Sequence, residues 1–181
     1  MLFKFNVNLS DKDYLNFNIF CAVKSYYGKK QITRLRIIIS LLFLAFVVLT
    51  LIQECFSADA FMMLIPFLLA LVLVQALIKP IHIWTLKLHI KALNKSEKKR
   101  YSPETEIEFY EESFIETAPE NKMEAKYSSL ERVSIVNGEA VYLHYNNLLG
   151  HILPMAVFES KTQYDSFIAF IKTKCKNVDV Y

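Results

Sequence analysis

Two stretches without a single charged side chain, residues 37–52 and 60–78, constrain this chain more than any other feature. A bilayer core about 30 Å thick is crossed by roughly twenty apolar helical residues, and spans down to about seventeen are tolerated. The second run fits that range. The first is completed by Leu35 and by Cys55 and Phe56, while Arg34 and Arg36 can carry their charged ends to the interface on apolar stems. A surface helix of a soluble protein needs a polar stripe at helical period, and residues 37–52 have none. Residues 53–59 leave room only for a tight reversal. The expectation is a two-helix transmembrane hairpin with spans at about 37–56 and 60–78. A cleavable signal peptide does not fit, because the first run begins far from Met1 and no small-residue cleavage site follows it.

The net charge of +3 hides a segregation along the 181 residues. Residues 1–36 hold Lys4, Lys12, Lys24, Lys29, Lys30, Arg34 and Arg36 against Asp11 and Asp13. Residues 79–100 hold Lys79, Lys87, Lys91, Lys95, Lys98, Lys99 and Arg100 against Glu97. The connecting residues 53–59 carry Glu54 and Asp59 and no base. Basic flanks stay on the cytoplasmic side. A multi-pass protein of the cell membrane is therefore expected, with both termini cytoplasmic and the short loop outside. Trp84 is placed as an interfacial anchor, and Pro66 frees one carbonyl inside the second span. Gln75, near the inner end of that span, is expected at headgroup level, with a hydrogen bond across to the first helix as the alternative. The basic segment 79–100 has two readings. It contacts anionic lipid, worth about 1 kcal/mol per charge near the surface, or it serves only to set topology.

The remaining sequence reads as soluble protein. Residues 3–7 alternate as a half-buried strand does. Ser10 then opens a helix, with Asp13 completing an Asp variant of the capping box and Leu9 stapling onto Tyr14. Tyr14, Phe17 and Cys21 share its inner face. A single strand does not stand alone, so residues 3–7 must pair with strands further on. Residues 101–181 offer them: strands at 106–110, 113–118, 122–127, 130–136, 140–145 and 150–157. Asn137-Gly138 is a strong hairpin signal, and Pro154 points to an edge strand. Ser160 with Gln163 caps a closing helix whose Tyr164, Phe167, Ile168 and Ile171 fall on one face. The fold class expected is an α+β membrane protein. Its transmembrane hairpin carries a cytoplasmic antiparallel β-sandwich or barrel of pleckstrin-homology-like type, closed by a C-terminal helix. The organisation follows as 1–36 (strand and amphipathic helix), 37–78 (hairpin), 79–100 (basic juxtamembrane helix) and 101–181 (β domain).

This layout resembles the YcxB-like family of bacterial membrane proteins. The resemblance rests on Ser10-Asp11-Lys12-Asp13-Tyr14, on Glu108-Phe109-Tyr110-Glu111-Glu112, on Tyr127-Ser128-Ser129-Leu130-Glu131-Arg132-Val133 and on Ile152-Leu153-Pro154-Met155-Ala156-Val157-Phe158. It implies the strand, helix, hairpin and pleckstrin-homology-like order and brings no activity with it. Met155-Ala156 stands where the family often has basic residues after the proline.

No residue set spells a reaction. GxSxG, HExxH and a phosphate-cradling glycine loop are all missing from the sequence. His144, His151, Ser128, Ser129 and scattered glutamates are the chemistry on offer. His144 and His151 flank Asn146-Asn147 and could approach each other across a hairpin, but two histidines make a poor metal site. His82 and His89 lack an acid or thiol partner. Cys21, Cys55 and Cys175 have no paired spacing. No catalytic, cofactor or metal residue is assigned, and an enzyme is not expected. The expected function is a membrane-tethered cytoplasmic module that binds or regulates a protein. A small oligomeric subunit associated with transport or a channel is the alternative. Residues 101–181 hold thirteen acids against seven bases, with Glu111, Glu112, Glu116 and Glu120 near the first hairpins. Such a surface repels anionic headgroups. It suits a basic protein partner, or the chain's own basic stretch at 87–100. Nucleic acid is not expected, since the one basic stretch adjoins the bilayer.

Overall fold

The computed structural model describes residues 1–53, 58–95 and 101–181. Residues 98–100 of the basic stretch and Glu54 and Cys55 of the loop lie outside them. The described chain is α+β, with two long apolar helices and two four-stranded sheets. It divides into two units, one of residues 1–18 with 90–181 and one of residues 19–89.

The first unit begins with β1 (Phe3–Asn8), which is antiparallel to β2 (Glu104–Phe109) over six residue pairs from Phe3↔Phe109 to Asn8↔Glu104. The partner expected further along the chain is thus β2, nearly a hundred residues away. β3 (Ser113–Ala118) and β4 (Asn121–Lys126) continue the meander, giving the sheet order β1-β2-β3-β4. Alternation puts Phe5, Val7, Ile107, Phe109 and Phe114 on the inner face. Lys4, Glu106 and Glu108 pair on the outer face. The second sheet has the order β7-β6-β5-β8, from β5 (Arg132–Val136), β6 (Ala140–His144), β7 (Gly150–Pro154) and β8 (Val178–Val180). Val133, Ile135, Val141, Leu143 and Leu153 face the same core.

Helix α4 (Lys161–Lys174) is capped by Ser160, whose Oγ accepts from the Gln163 N–H at 3.1 Å. The Gln163 amide reaches back one residue further than a capping box does, accepting from the Glu159 N–H at 2.8 Å. Phe167 is fully buried and lies within 4.9–5.7 Å of the Phe3, Phe5, Phe109 and Phe158 ring centroids. These edge and tilted contacts each add about 0.5–1.5 kcal/mol beyond simple area burial. They tie α4 to both strands of the β1–β2 pair.

Several expected bounds are corrected. The strand expected at 150–157 stops at Pro154, which sits on the edge strand β7, and Met155–Val157 is a 3-10 turn. The strand at 122–127 ends one residue earlier. Tyr127 begins a 3-10 turn, and its hydroxyl donates towards the Tyr110 and Ser113 carbonyls at 2.8 and 3.2 Å. β8 was not expected. It runs parallel to β5, with Val133↔Val178 and Ile135↔Val180, and three residues are too few to show a period. Gly138 turns the β5–β6 hairpin at φ +74°, a conformation open to glycine at little cost.

In the second unit, a π-helical turn at Phe20–Lys24 follows α1 (Asp11–Ile19). Ser25 ends that turn and starts the next helix. Its Oγ donates to the Cys21 carbonyl at 2.8 Å and accepts from the Gly28 N–H at 3.1 Å. A Cβ on Gly28 would sit 2.5 Å from the Cys21 carbonyl oxygen, so the close start of the helix needs glycine. Helix α2 therefore begins at Tyr26 and runs to Gln53, well before the expected span start at residue 37. Helix α3 (Ala58–Lys95) runs unbroken through Pro66 and Pro80, so the second run and the basic segment to Lys95 are one helix. The two helices are antiparallel. Phe46 meets Phe67 at 4.8 Å, and Gln75 Nε2 donates to the Arg36 carbonyl at 3.2 Å and to Ser40 Oγ at 3.0 Å. Gln75 thus joins the two helices instead of merely facing headgroups. Both helices are long and apolar enough to cross a membrane.

The aromatic cluster gives a direct expectation. Phe167→Ala should destabilise the domain by about 3–5 kcal/mol, because a buried ring leaves a cavity as well as lost transfer energy. Hydrogen exchange of β1 and β2 amides in the full chain reads it. Unchanged protection would remove Phe167 from the centre of the core.

Candidate functional site

The inner face of the first sheet is filled by aromatic rings as far as Phe114. The next two inward positions of β3 are Glu116 and Ala118, and across from Glu116 on β4 is Met123. An acid and a small residue do not fill a core, and the sheets part here. A groove of about 1090 Å³ opens between β4 and β7, the outer strands of the two sheets. Tyr14, Phe17, Tyr101, Tyr145, Leu148 and Leu149 add to its lining. Among the described residues, Glu116 and Glu120 are the charged residues along it, and no lysine or arginine lines it.

Across the groove floor runs a chain of polar contacts from one sheet to the other. His151, on β7, is 7% exposed; its Nδ1 lies 3.3 Å from a Glu116 carboxylate oxygen. Its Nε2 lies 2.9 Å from the Tyr145 hydroxyl, and its ring stands edge-on to Phe114 at 5.4 Å. An ionised carboxylate only accepts, so Nδ1 carries the proton facing Glu116. In the neutral ring Nε2 then accepts from Tyr145. Burial, with the Glu116 charge second, pushes the Tyr145 hydroxyl up to about 12, so it stays protonated at neutral pH. The arrangement holds two sheets in register and presents a carboxylate to the groove. A protonated tyrosine is a poor nucleophile.

At the other end of the groove Tyr14 stacks on Tyr101 at 4.7 Å, and the Tyr101 hydroxyl donates to Asp11. Burial, then the Asp11 hydrogen bond, raises Tyr101 to about 12. The local reason is the start of α1. Ser10 Oγ accepts from the Asp13 N–H at 3.2 Å while the Ser10 N–H donates to the Asp13 carboxylate at 3.0 Å, the reciprocal cap expected from sequence. That cap fixes the first turn, from which Asp11 and Tyr14 project.

His144 does not join His151. Leu143 pairs with His151 and His144 with Gly150, so alternation sends the two rings to opposite faces of the sheet. His144 is fully buried on the outer face, stacked on Phe17 of α1 at 5.6 Å and beside Tyr142. Across the strand pair is Arg132, whose guanidinium donates to Asn147 Oδ1 at 3.0 Å. Burial, reinforced by the Arg132 charge, pushes the His144 pKa down from 6.5 to about 3.

The other residues named from sequence are dispersed. Ser128 and Ser129 are exposed in the turn after β4, and Ser129 Oγ donates to the Lys126 carbonyl at 2.7 Å. Glu111 pairs with Lys174 at 2.8 Å. His82 and His89 are exposed on α3. Cys21 and Cys175 are buried, and burial raises the Cys175 thiol to about 11. Among the described residues no group of three His, Cys, Asp or Glu side chains is placed to hold a metal ion. The Glu116–His151–Tyr145 chain escaped the sequence reading because its members sit on different sheets. One signal for it exists, an acid at an inward-facing strand position two residues after Phe114. Compared with known proteins, the chain matches no family model, no curated protein and no solved structure.

The buried His144 sets a pH dependence. Unfolded, the ring takes a proton near 6.5; folded, it resists until about 3. Its stabilisation is complete above pH 6.5 and falls as the pH drops below that value, by ~2 kcal/mol at pH 5. His144→Gln should flatten the stability profile between pH 7 and 5 in denaturant titrations. An unaltered slope would show that His144 is not the group responsible.

Proposed function

We propose that this chain is an integral membrane protein whose two apolar helices span the bilayer, and whose discontinuous β unit is a cytoplasmic protein-binding module. The observation that carries the reading is the β1–β2 pairing. Strands hydrogen-bonded to each other lie on one side of a membrane, so an even number of crossings must separate them. Between β1 and β2 lie two helices of sufficient length and mean hydropathy. Their most apolar windows are 0% and 6% buried, whereas core helices of soluble proteins are mostly buried. The basic flanks support an orientation with both ends inside. Lys79, Lys87 and Lys91 are exposed on α3, in keeping with an anionic-lipid contact beside the inner leaflet.

The β unit is read as pleckstrin-homology-like. Support comes from seven strands in four-plus-three meanders followed by α4, the order that fold uses, with β8 as an addition. The likeness to the YcxB-like family belongs to the same proposal. A binding role fits the site better than catalysis, because the groove joins apolar and aromatic walls to carboxylates while Tyr145 stays protonated. Arg36, Ser40 and Gln75 satisfy one another between the helices, which supports a fixed hairpin that tethers the module.

Topology is tested by labelling with a membrane-impermeant maleimide. In a Cys55→Ala background, Asp59→Cys, between the two expected spans, should react in intact cells. In the same background, Ser128→Cys should react only after permeabilisation. Labelling of Ser128→Cys in intact cells would overturn the orientation.

A further inference from the structure

We propose that the groove between β4 and β7 receives an extended, lysine- or arginine-bearing segment of a partner protein, which adds as a strand to the free edge of β7. This rests on the binding-module reading above and names the partner's chemistry.

β7 ends its sheet and β4 ends the other, so both walls of the groove are strand edges. In an antiparallel pair alternate residues exchange hydrogen bonds. The Tyr145 N–H to Leu149 carbonyl bond (3.0 Å) and the Met155 N–H to Glu139 carbonyl bond (3.1 Å) set the phase along β6 and β7. Residues 149, 151, 153 and 155 therefore face β6, and Gly150 and Ile152 direct their N–H and carbonyl groups away from it. Both residues line the groove. Unpaired edges of this kind recruit extended peptides, with alternate side chains entering pockets.

Among the described residues, Glu116 and Glu120 are the charged lining residues, and the stacked Tyr14–Tyr101 pair and Tyr145 offer aromatic surface for a cation. Among the described residues, an anionic ligand would meet two carboxylates and no base. At the lip of the groove, Leu148 and Leu149 are 77% and 62% exposed on the β6–β7 turn. They are not loose, because Asn146 Oδ1 accepts from both of their N–H groups at 2.8 Å. A turn built to hold two adjacent leucines outward supplies an apolar contact beside the acidic floor. Groove, edge and lip together call for an extended segment that alternates cationic with apolar residues. The volume of about 1090 Å³ exceeds the ~300–1,000 Å³ of ordinary small-molecule sites.

The test uses the full chain in phosphatidylcholine nanodiscs, whose lipid carries no net charge. Three fluorescent nine-residue probes are compared by anisotropy: alternating Lys/Val, its Glu/Val twin, and Lys/Val methylated on alternate backbone nitrogens. The Lys/Val peptide should bind, with the Glu/Val twin at least tenfold weaker. Methylation in the phase that faces β7 should also cost at least tenfold. Glu116→Gln with Glu120→Gln should weaken binding tenfold or more. Glu104→Gln with Glu124→Gln, an equal charge change on the outer face of the first sheet, should leave it unchanged. Leu148→Ser with Leu149→Ser, at exposed positions that cannot unfold the domain, should weaken it as well. Equal binding of the Glu/Val twin, equal loss from the Glu104/Glu124 control, or indifference to methylation would overturn the proposal. Maleimide labelling reads the membrane topology independently, so failure of the peptide with correct labelling removes the groove assignment alone.

Discussion

Everything else in this chain depends on the hydrogen-bonded pairing of β1 with β2. Six residue pairs join strands separated in sequence by both long helices. The pairing places Phe5 and Val7 in the core beside Ile107 and Phe109, and Phe167 of α4 then closes over Phe3, Phe5 and Phe109. Without β1 the inner face of β2 would lose its aromatic neighbours and α4 would lose half its bed. Closing so long a loop costs entropy that grows only slowly with length. A helical hairpin that folds on its own contacts lowers that cost further, since its ends are already brought near each other.

The same constraint shapes the polar features. β3 must follow β2 in the meander, which carries Glu116 to the inward face where the core runs out. The second sheet supplies His151 from its edge strand, so the inward-facing Glu116 carboxylate meets an imidazole. Phe114 packs against Tyr145 and His151, while the edge strands β4 and β7 are not paired with each other and flank the groove. On the opposite face of the second sheet, α1 brings Phe17 onto Tyr142 and His144. A neutral, buried imidazole there is compatible with the adjacent Arg132 only because it does not take a proton at ordinary pH.

What was legible in the sequence was whatever rests on local pattern. Alternation in residues 3–7 marked β1 and demanded a distant partner. Asn137-Gly138, Ser10 with Asp13, and Ser160 with Gln163 announced a hairpin and two helix starts through chemistry confined to a few residues. Pro154 marked an edge strand because proline cannot donate. Less was legible where a structure answers to distant contacts. Helix α2 starts at Tyr26 because Ser25 and Gly28 allow it to abut a π-helical turn, and no hydropathy window sees that. β8 is too short to show a period. Glu116 and His151 are each unremarkable alone, and only the packing of two sheets makes them a pair. His144 and His151 are near in sequence yet on opposite faces, since a seven-residue separation across a hairpin turn does not by itself fix the register.

The most direct measurement is a disulfide across the β1–β2 pair in the full chain. Asn6 and Glu106 are directly opposed on the outer face of the sheet. Asn6→Cys with Glu106→Cys, in a chain cut at a protease site inserted within residues 96–100, should leave the two fragments linked until a reductant is added. The mismatched pair Asn8→Cys with Glu108→Cys should not link. Fragments that separate without reductant in the Asn6/Glu106 protein, or that link equally in the mismatched one, would contradict a single domain built around an inserted hairpin.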